Sequence, residues 1–281
     1  MTKLSKLTLL SAAASLVLVS TVPVAEAGRG GSSNRIKNAI NGGSVSAIIA
    51  ELERAERLVC SACIEPVMTL LDNKNYKLRE VAAWWFARRA AHKTELTQRS
   101  FGYLVGSDST MVRNAADILG TFRHPVAVPA LTTALARTDI SAEARAHIAK
   151  ALGTIGHRDG KPALATAMSA TDSQVRLEAV RAWLEIRRQS DAAPVIALVN
   201  DSDMKVRRKA AAVIGSLRDA NGRAALEAQL TSDTDPVVRR NAAWALGRIG
   251  NAASRTVLQT ATTDVSGLVR RTAKQAIRKL R

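Results

Sequence analysis

Histidine, cysteine and aromatic residues are scarce in this chain of 281 residues. The two cysteines are three residues apart, but a structural zinc site would need two further ligands at close spacing, and the four histidines are too widely scattered to supply them. Aromatic residues make up 3% of the chain, so the core that its 47% apolar residues can build consists mainly of small side chains, as in close-packed helices. No motif of a hydrolase, a zinc protease or a phosphate-binding loop is present. The sequence therefore predicts no catalytic residue, no cofactor and no metal site.

The first residues form a separate segment that resembles a secretory signal peptide. Lys3 and Lys6 precede an apolar stretch that runs to Val24, and Ala25-Glu26-Ala27 has the small-x-small pattern of a cleavage site. Ser and Thr interrupt the stretch often, which favours a cleaved signal over the alternative of an uncleaved membrane anchor, and no later segment is apolar enough to span a membrane. We expect residues 1–27 to be removed after Ala27, and the mature protein to be periplasmic or secreted.

Acidic residues are outnumbered, 24 against 41 Lys and Arg, which gives a net charge of +17. Loss of Lys3, Lys6 and Glu26 with the signal peptide leaves 39 basic and 23 acidic residues, or +16. Such a field favours an anionic partner: an acidic protein, an anionic surface polymer or, less readily for an exported chain, nucleic acid. The alternative is that the basic residues form a solvated surface that only keeps the protein soluble.

The body of the chain repeats itself about every 32 residues. The pattern Val-Arg-x-x-Ala-Ala recurs, best seen at Val238 to Ala243, and Pro-initiated helical segments precede it at the same phase. Glycines close to the end of each unit, with Leu184 in one place, are spaced by 33, 31, 31 and 32 residues; they are Gly120, Gly153, Gly215 and Gly247. Each unit is predicted to be a hairpin of two helices, in which Asp172, Asp203 and Asp235 cap the second helix. A glycine near its end can adopt the left-handed conformation that stops it.

The segment Val238 to Gly250, which reads V-R-x-x-A-A-x-A-L-G-x-I-G, resembles the short HEAT-like repeat class that is also found in phycobilin lyases and bacterial adaptor proteins. The resemblance covers residues 64–281 and is one of repeat type, so it implies no lyase activity. It implies an all-α fold, an α-α superhelical solenoid of about seven HEAT-like hairpins that bury their apolar faces by stacking. Residues 93–106 are predicted to replace a regular first helix in the second unit.

Two segments precede the repeats. Residues 28–44 are rich in Gly, Ser and Asn and are predicted to be a flexible linker. Residues 45–63 are predicted to form a capping helix, with Ile48, Leu52 and Leu58 on one side, followed by a turn with Cys60 and Cys63. In an exported protein such a pair is expected to form a disulfide. A redox-active pair remains an alternative.

One arginine stands at the same phase in six units, and we call this set the arginine column. Its members are Arg79, Arg145, Arg176, Arg207, Arg239 and Arg270. The column could be an anion-binding track. The repeated Asp172, Asp203 and Asp235 favour an internal ladder instead, in which each guanidinium bridges two partners.

The face of the second helices opposite the packed face carries basic and tryptophan side chains, and we call it the binding strip. It comprises Trp84, Arg88, Arg181, Arg208, Lys209, Arg240, Trp244, Arg248, Arg271 and Lys279. Trp and Arg are the residue types most enriched in binding hot spots. The alternative is that Trp84 and Trp244 pack sideways between repeats.

These observations favour a non-catalytic protein-interaction scaffold of the cell envelope that binds an acidic or anionic partner on its basic face. Nucleic-acid binding through the same face is one alternative. An accessory redox or lyase-like role of Cys60 and Cys63 is another.

Overall fold

The computed structural model describes residues 32–280, which form α-helices, short 3-10 turns and connecting loops, with no β-strand in that range. The predicted signal peptide, residues 1–27, lies outside the described residues. The helices are α1 Ser33–Gly42, α2 Val45–Arg54, α3 Ile64–Thr69, α4 Tyr76–Phe86, α5 Ala90–Val105, α6 Ser109–Phe122, α7 Val128–Leu135, α8 Ala142–Ile155, α9 Lys161–Ala167, α10 Ser173–Glu185, α11 Ala193–Ile196, α12 Met204–Leu217, α13 Arg223–Ser232, α14 Pro236–Ile249, α15 Arg255–Ala261 and α16 Gly267–Ile277.

Helices α3 to α16 form seven consecutive hairpins, so the predicted solenoid of about seven helical hairpins is confirmed. The second helices of the hairpins, which we call the B helices, are α4, α6, α8, α10, α12, α14 and α16. Each B helix packs against the next one along the whole series, and the first helices form the other layer. No described helix is long and apolar enough to cross a membrane.

A polar residue at a constant position starts every B helix. These N-caps are Asn75, Asp108, Ser141, Asp172, Asp203, Asp235 and Ser266. All but Ser266 accept a hydrogen bond from a backbone N–H of the first turn through the side chain. Each such cap satisfies a donor that the helix cannot satisfy itself, which stabilises the fold by about 1 kcal/mol. The predicted capping roles of Asp172, Asp203 and Asp235 are thus confirmed.

The recurrent glycines lie inside the B helices rather than at their ends. A Cβ atom on Gly153 would lie 2.6 Å from the Cα atom of Ala182 in the next B helix, and one on Gly247 would lie 2.7 Å from the Cα atom of Ala276. These glycines therefore let neighbouring B helices approach closely. The left-handed residue that ends a B helix comes three residues later, for example Gly156 with φ +69°.

The N-terminal region differs from the prediction in two places. Most of the segment predicted as a flexible linker, residues 28–44, is helix α1. Ser32 caps the start of this helix, and Gly43 ends it with φ +69°. The buried side chain of Ile36 anchors the helix to the rest of the protein. Residues 93–106 do not interrupt the helical pattern, because α5 runs through them as the first helix of the second hairpin. In α5, Leu96, Ser100 and Leu104 recur every four residues on the buried side.

The capping element is a pair of helices, α1 and α2, packed on the N-terminal end of the stack. Helix α2 buries Ile48 and Leu52 against α4, where Trp85 and Phe86 are both fully buried. Ser44 caps α2 by accepting a hydrogen bond from the backbone N–H of Ala47. The cap covers the apolar side of the first hairpin, which no other repeat covers among residues 32–280.

Candidate binding face of the B helices

The middle of the arginine column forms a ladder between consecutive hairpins. Three of its members each hold the carboxylate of an Asp that lies two residues before the N-cap of the next B helix. The pairs are Arg176–Asp201, Arg207–Asp233 and Arg239–Asp264, with Nε–Oδ2 distances of 2.6, 2.7 and 2.8 Å. In each pair the carboxylate raises the pKa of the guanidinium, chiefly through the hydrogen bond. The sequence pointed instead to the N-cap aspartates, whose carboxylates accept hydrogen bonds from backbone N–H groups and hold none of these three arginines.

The other three members of the column lack this acid. The position equivalent to Asp201 is occupied by Gly106 for Arg79 and by Ala170 for Arg145. For Arg270 it would belong to a further hairpin, which the described residues do not include. Arg79 pairs instead with Asp117, Nε to Oδ2 at 2.8 Å, with both side chains 2% exposed. The Nε of Arg145 donates to the Leu135 carbonyl at 3.2 Å. Nη1 of Arg270 donates to two backbone carbonyls.

Restoring the missing acid should strengthen the ladder. We expect Ala170→Asp to stabilise the protein by about 1 kcal/mol, because a half-buried guanidinium would gain a charge-assisted pair. The substitution creates Asp-Thr-Asp at residues 170–172, the sequence that already stands at residues 233–235. Urea unfolding of both proteins would measure the change. The same substitution in an Arg145→Met background should give no gain; an equal gain there would show that Arg145 is not the partner.

Three residues of the binding strip are already held by acids of this chain. Arg88 pairs with Glu56 and stacks over the Trp84 ring at 3.9 Å. Arg181 pairs with Glu178 at 2.6 Å in the same helix. Arg208 makes two bonds to the N-cap Asp235, at 2.9 and 2.6 Å, and so contributes to the stacking of α12 and α14. The three arginines therefore form ion pairs within the chain, although they lie on its surface.

The other basic residues of the strip have no ion pair within residues 32–280. They are Lys209, Arg240, Arg248, Arg271 and Lys279. The Nε atoms of Arg240 and Arg248 are buried with no acceptor among the described atoms. Trp244 is half-buried and packs towards α12, where a Cβ atom on Gly215 would lie 2.7 Å from its ring. Trp244 thus packs between repeats, which was the alternative considered in the sequence analysis, whereas Trp84 lines a groove.

Two grooves run across the B helices. The first, which we call the N-terminal groove, has a volume of about 660 Å³ and is lined by residues of α2, α4, α6 and α8. Tyr76 and Trp84 contribute aromatic surface, and Nζ of Lys150 lies 3.3 Å from the centre of the Tyr76 ring. Burial raises the pKa of the Tyr76 hydroxyl, which donates to Glu80 at 3.0 Å. The groove therefore combines aromatic rings with charges of both signs.

The second groove, which we call the central groove, has a volume of about 520 Å³ and is predominantly basic. Its charged lining residues are Arg123, Lys150, Arg181, Arg187, Lys209, Glu178 and Glu185. Burial and the nearby Arg181 lower the pKa of the Lys209 ammonium. Arg123, Lys150 and Thr154 line both grooves, so the two form one continuous surface.

Reasoning from the sequence missed several residues of these grooves: Tyr76, Arg123, Lys150 and Arg187. Lys150 could have been found, because it lies nine residues after its N-cap, as do Trp84 and Arg181 in their own units. Arg123 takes the left-handed conformation, with φ 50°, at the position where Gly156 ends another B helix. Aligning the repeats as far as the C-cap of each B helix would have identified Arg123.

Cys60 and Cys63 form a disulfide at the turn between the cap and the first hairpin. They are 7% and 0% exposed, respectively. Arg89 donates to the Leu58 carbonyl at 2.8 Å beside this turn. The burial of both residues favours a structural role over exchange with another protein. Within residues 32–280 there is no cluster of three or more His, Cys, Asp or Glu side chains that could hold a metal ion.

Solved structures with similar folds are helical-repeat proteins. YibA of Escherichia coli superposes with a TM-score of 0.56 and 14% identity, covering 88% of this chain and 92% of that one. An engineered protein has a TM-score of 0.51 and 20% identity, over 89% of this chain and 81% of its own. Kap95p, from a structure that concerns its binding to RanGDP, has a TM-score of 0.55 and 13% identity, over 88% of this chain and 41% of its own. At these identities the likeness concerns the fold alone.

Sequence families give a more direct assignment. HEAT repeats match residues 133–202 and 192–278, which together make up more than half of the chain. The PBS lyase HEAT-like repeat matches residues 112–137. No curated protein sequence matches the chain. The register of caps, glycines and arginines described above continues through the matched segments, and the chain belongs to the HEAT-repeat family.

Proposed function

We propose that this chain is a non-catalytic protein-interaction scaffold, and that its B-helix face holds an acidic segment of a partner protein. The observation that carries the proposal is the central groove. Among the described residues, Arg123, Lys150, Arg187 and Lys209 line it without an ion-pair partner. A groove lined by cations that lack partners attracts anions, since its walls concentrate the field.

The shape of the surface supports an extended ligand. The two grooves are joined at Arg123, Lys150 and Thr154 and together cross five of the seven B helices, α4 to α12. A polypeptide segment could lie along them, placing carboxylates in the central groove and apolar or aromatic side chains beside Tyr76 and Trp84. Stacked helical repeats are well suited to this mode because they present a long continuous surface.

The site of action belongs to the same proposal. The basic start, apolar stretch and Ala25-Glu26-Ala27 sequence support export to the periplasm or the medium. The Cys60–Cys63 disulfide is compatible with an oxidising compartment. We therefore propose that the acidic partner is a protein of the cell envelope or a secreted one.

Charge reversal within the groove should weaken binding of an acidic peptide. The probe is a fluorescein-labelled peptide of alternating glutamate and leucine, measured by fluorescence anisotropy at physiological salt. We expect Lys150→Glu combined with Lys209→Glu to weaken binding by about tenfold or more, since each reversal turns attraction into repulsion. The triple charge reversal of Arg240, Arg248 and Arg271 tests the C-terminal part of the strip with the same probe.

A matched control separates the groove from net charge. Arg158→Glu combined with Arg255→Glu makes the same change in charge at exposed positions that do not line either groove. Circular dichroism should show unchanged helicity for all variants. If the control pair weakens the peptide as much as the groove pair, the chain attracts anions without a defined site and the proposal is wrong. Unchanged affinity of the triple variant would remove the C-terminal strip from the site.

A further inference from the structure

Arg270 is the last member of the arginine column among the described residues, and it repeats the geometry of the arginines before it. Its Nη1 atom donates to the carbonyls of Asp264 and Val265, at 2.7 and 3.0 Å. In Arg239 the same atom donates to the carbonyls of Asp233 and Thr234, at 2.8 and 3.2 Å. Both guanidinium groups are thus anchored through Nη1 to the carbonyls five and six residues earlier. The Nε–Nη2 edges of the two groups therefore have the same orientation relative to their helices.

In three other arginines of the column, the Nε–Nη2 edge of the guanidinium binds an aspartate. Nε and Nη2 of Arg239 hold both oxygens of Asp264, at 2.8 and 2.9 Å. Arg176 and Arg207 hold Asp201 and Asp233 in the same way. In the described part of the chain no carboxylate lies against the corresponding edge of Arg270, which is exposed. Arg270 is therefore oriented for a carboxylate that residues 32–280 do not supply.

The surroundings of Arg270 favour an acidic surface. From Pro236 to Leu280 the sequence has nine Lys or Arg and a single acid, Asp264, which Arg239 already holds. Arg271 and Lys274 are exposed on the same helix, α16, and the exposed Arg278 directly follows it. Val265 and Leu268, 91% and 39% exposed, add apolar contact area beside them.

A second copy of this chain does not fit as the occupant. The acid of the ladder always stands two residues before an N-cap. At the N-terminal end of the stack these positions are Gly42, before the Ser44 cap of α2, and Asn73, before the Asn75 cap of α4. The net charge of +17 also opposes self-association.

We propose that the Nε–Nη2 edge of Arg270 is a docking site for an aspartate of an acidic partner protein, presented two residues before a helix N-cap as Asp-x-Asp or Asp-x-Ser. The three internal pairs have this sequence: Asp201-Ser202-Asp203, Asp233-Thr234-Asp235 and Asp264-Val265-Ser266. The partner would continue the ladder beyond α16, outside the two grooves. The proposal rests on the proposed function only in requiring an acidic protein partner.

The test uses the full chain and a probe taken from its own ladder. The probe is a synthetic peptide with the sequence of residues 224–249, which includes Asp233, and its matched control carries Asp233→Asn. Nε–Hε NMR signals of the ¹⁵N-labelled protein report the contact, with the Arg270 signal assigned by its loss in Arg270→Lys. We expect the Asp peptide to shift that signal, and the Asn peptide to bind about tenfold to a hundredfold more weakly.

The outcomes separate this proposal from the previous one. An unmoved Arg270 signal at millimolar peptide, or equal binding of the two peptides, would overturn it. Arg270→Gln, with its helicity checked by circular dichroism, should weaken the Asp peptide to the level of the Asn peptide. The Lys150→Glu and Lys209→Glu variant should bind the Asp peptide as the unmodified protein does. If the grooves fail to bind the glutamate peptide while the Arg270 signal still shifts, the groove proposal fails and the docking site stands.

Discussion

Replacement of Asp117 by alanine should destabilise the protein by about 3–5 kcal/mol, because it leaves a buried guanidinium without its carboxylate. Arg79 is 1% exposed, and its Nε donates to Asp117 at 2.8 Å. The other oxygen of Asp117 lies 2.6 Å from Nδ1 of His147, so a second contact is lost as well. Arg79 would keep only its bonds to the carbonyls of Asn73 and Lys74. Urea unfolding followed by circular dichroism would measure the loss.

Two further variants show whether burial causes the effect. Asp139→Ala breaks the pair with Arg137, in which the Asp side chain is 62% exposed, and should cost at most about 1 kcal/mol. Removing both partners, as Arg79→Met with Asp117→Leu, should recover part of the loss because no unpaired charge remains. Equal costs for Asp117→Ala and Asp139→Ala would contradict the importance of burial.

Alanine in place of Gly153 should destabilise the protein by about 1–3 kcal/mol, the usual cost of overpacking, even though alanine is the better helix former. The added Cβ atom would lie 2.6 Å from the Cα atom of Ala182 and 2.7 Å from its Cβ atom. Helices α8 and α10 would have to separate to relieve the clash. The thermal unfolding midpoint would report the change.

Gly102 provides the matched control, since it also lies within a helix, α5, and a Cβ atom there would have no neighbour within 4 Å. Gly102→Ala should stabilise the protein by up to about 1 kcal/mol through helix propensity alone. The two substitutions are thus expected to have opposite signs. Ala182→Gly should restore Gly153→Ala only in part, because the Cα atom of residue 182 remains in the way. Full restoration would show that the backbones are not the limiting contact.

The repeat and its local signals could be read from the sequence because they depend on residues close together in the chain. Asp172 caps α10 through the N–H groups of Gln174 and Val175, two and three residues later. The partners of the arginine column could not be read in the same way. Arg176 and Asp201 are 25 residues apart in the sequence, and only the stacking of two hairpins brings Nε of Arg176 to 2.6 Å from Oδ2 of Asp201.

The recurrent glycines illustrate the same limit. Their spacing identified the repeat, but the spacing does not distinguish a glycine that ends a helix from one that admits a neighbouring helix. Gly156, with φ +69°, does the first, and Gly153 does the second. The reason is physical: a positive φ is a local property, whereas a close approach depends on the Ala182 backbone of another repeat.

By itself, then, the sequence determined the helical hairpins, their number, their caps and the basic character of the surface, because periodicity, capping and charge act over a few residues. Only the tertiary structure decided which cations are engaged. Stacking placed Asp235 against Arg208 and Asp264 against Arg239, but among the described residues it gave neither Lys209 nor Arg270 an ion pair. Whether a surface arginine or lysine has a partner within the chain depends on how successive hairpins pack, and that packing is a property of the whole stack.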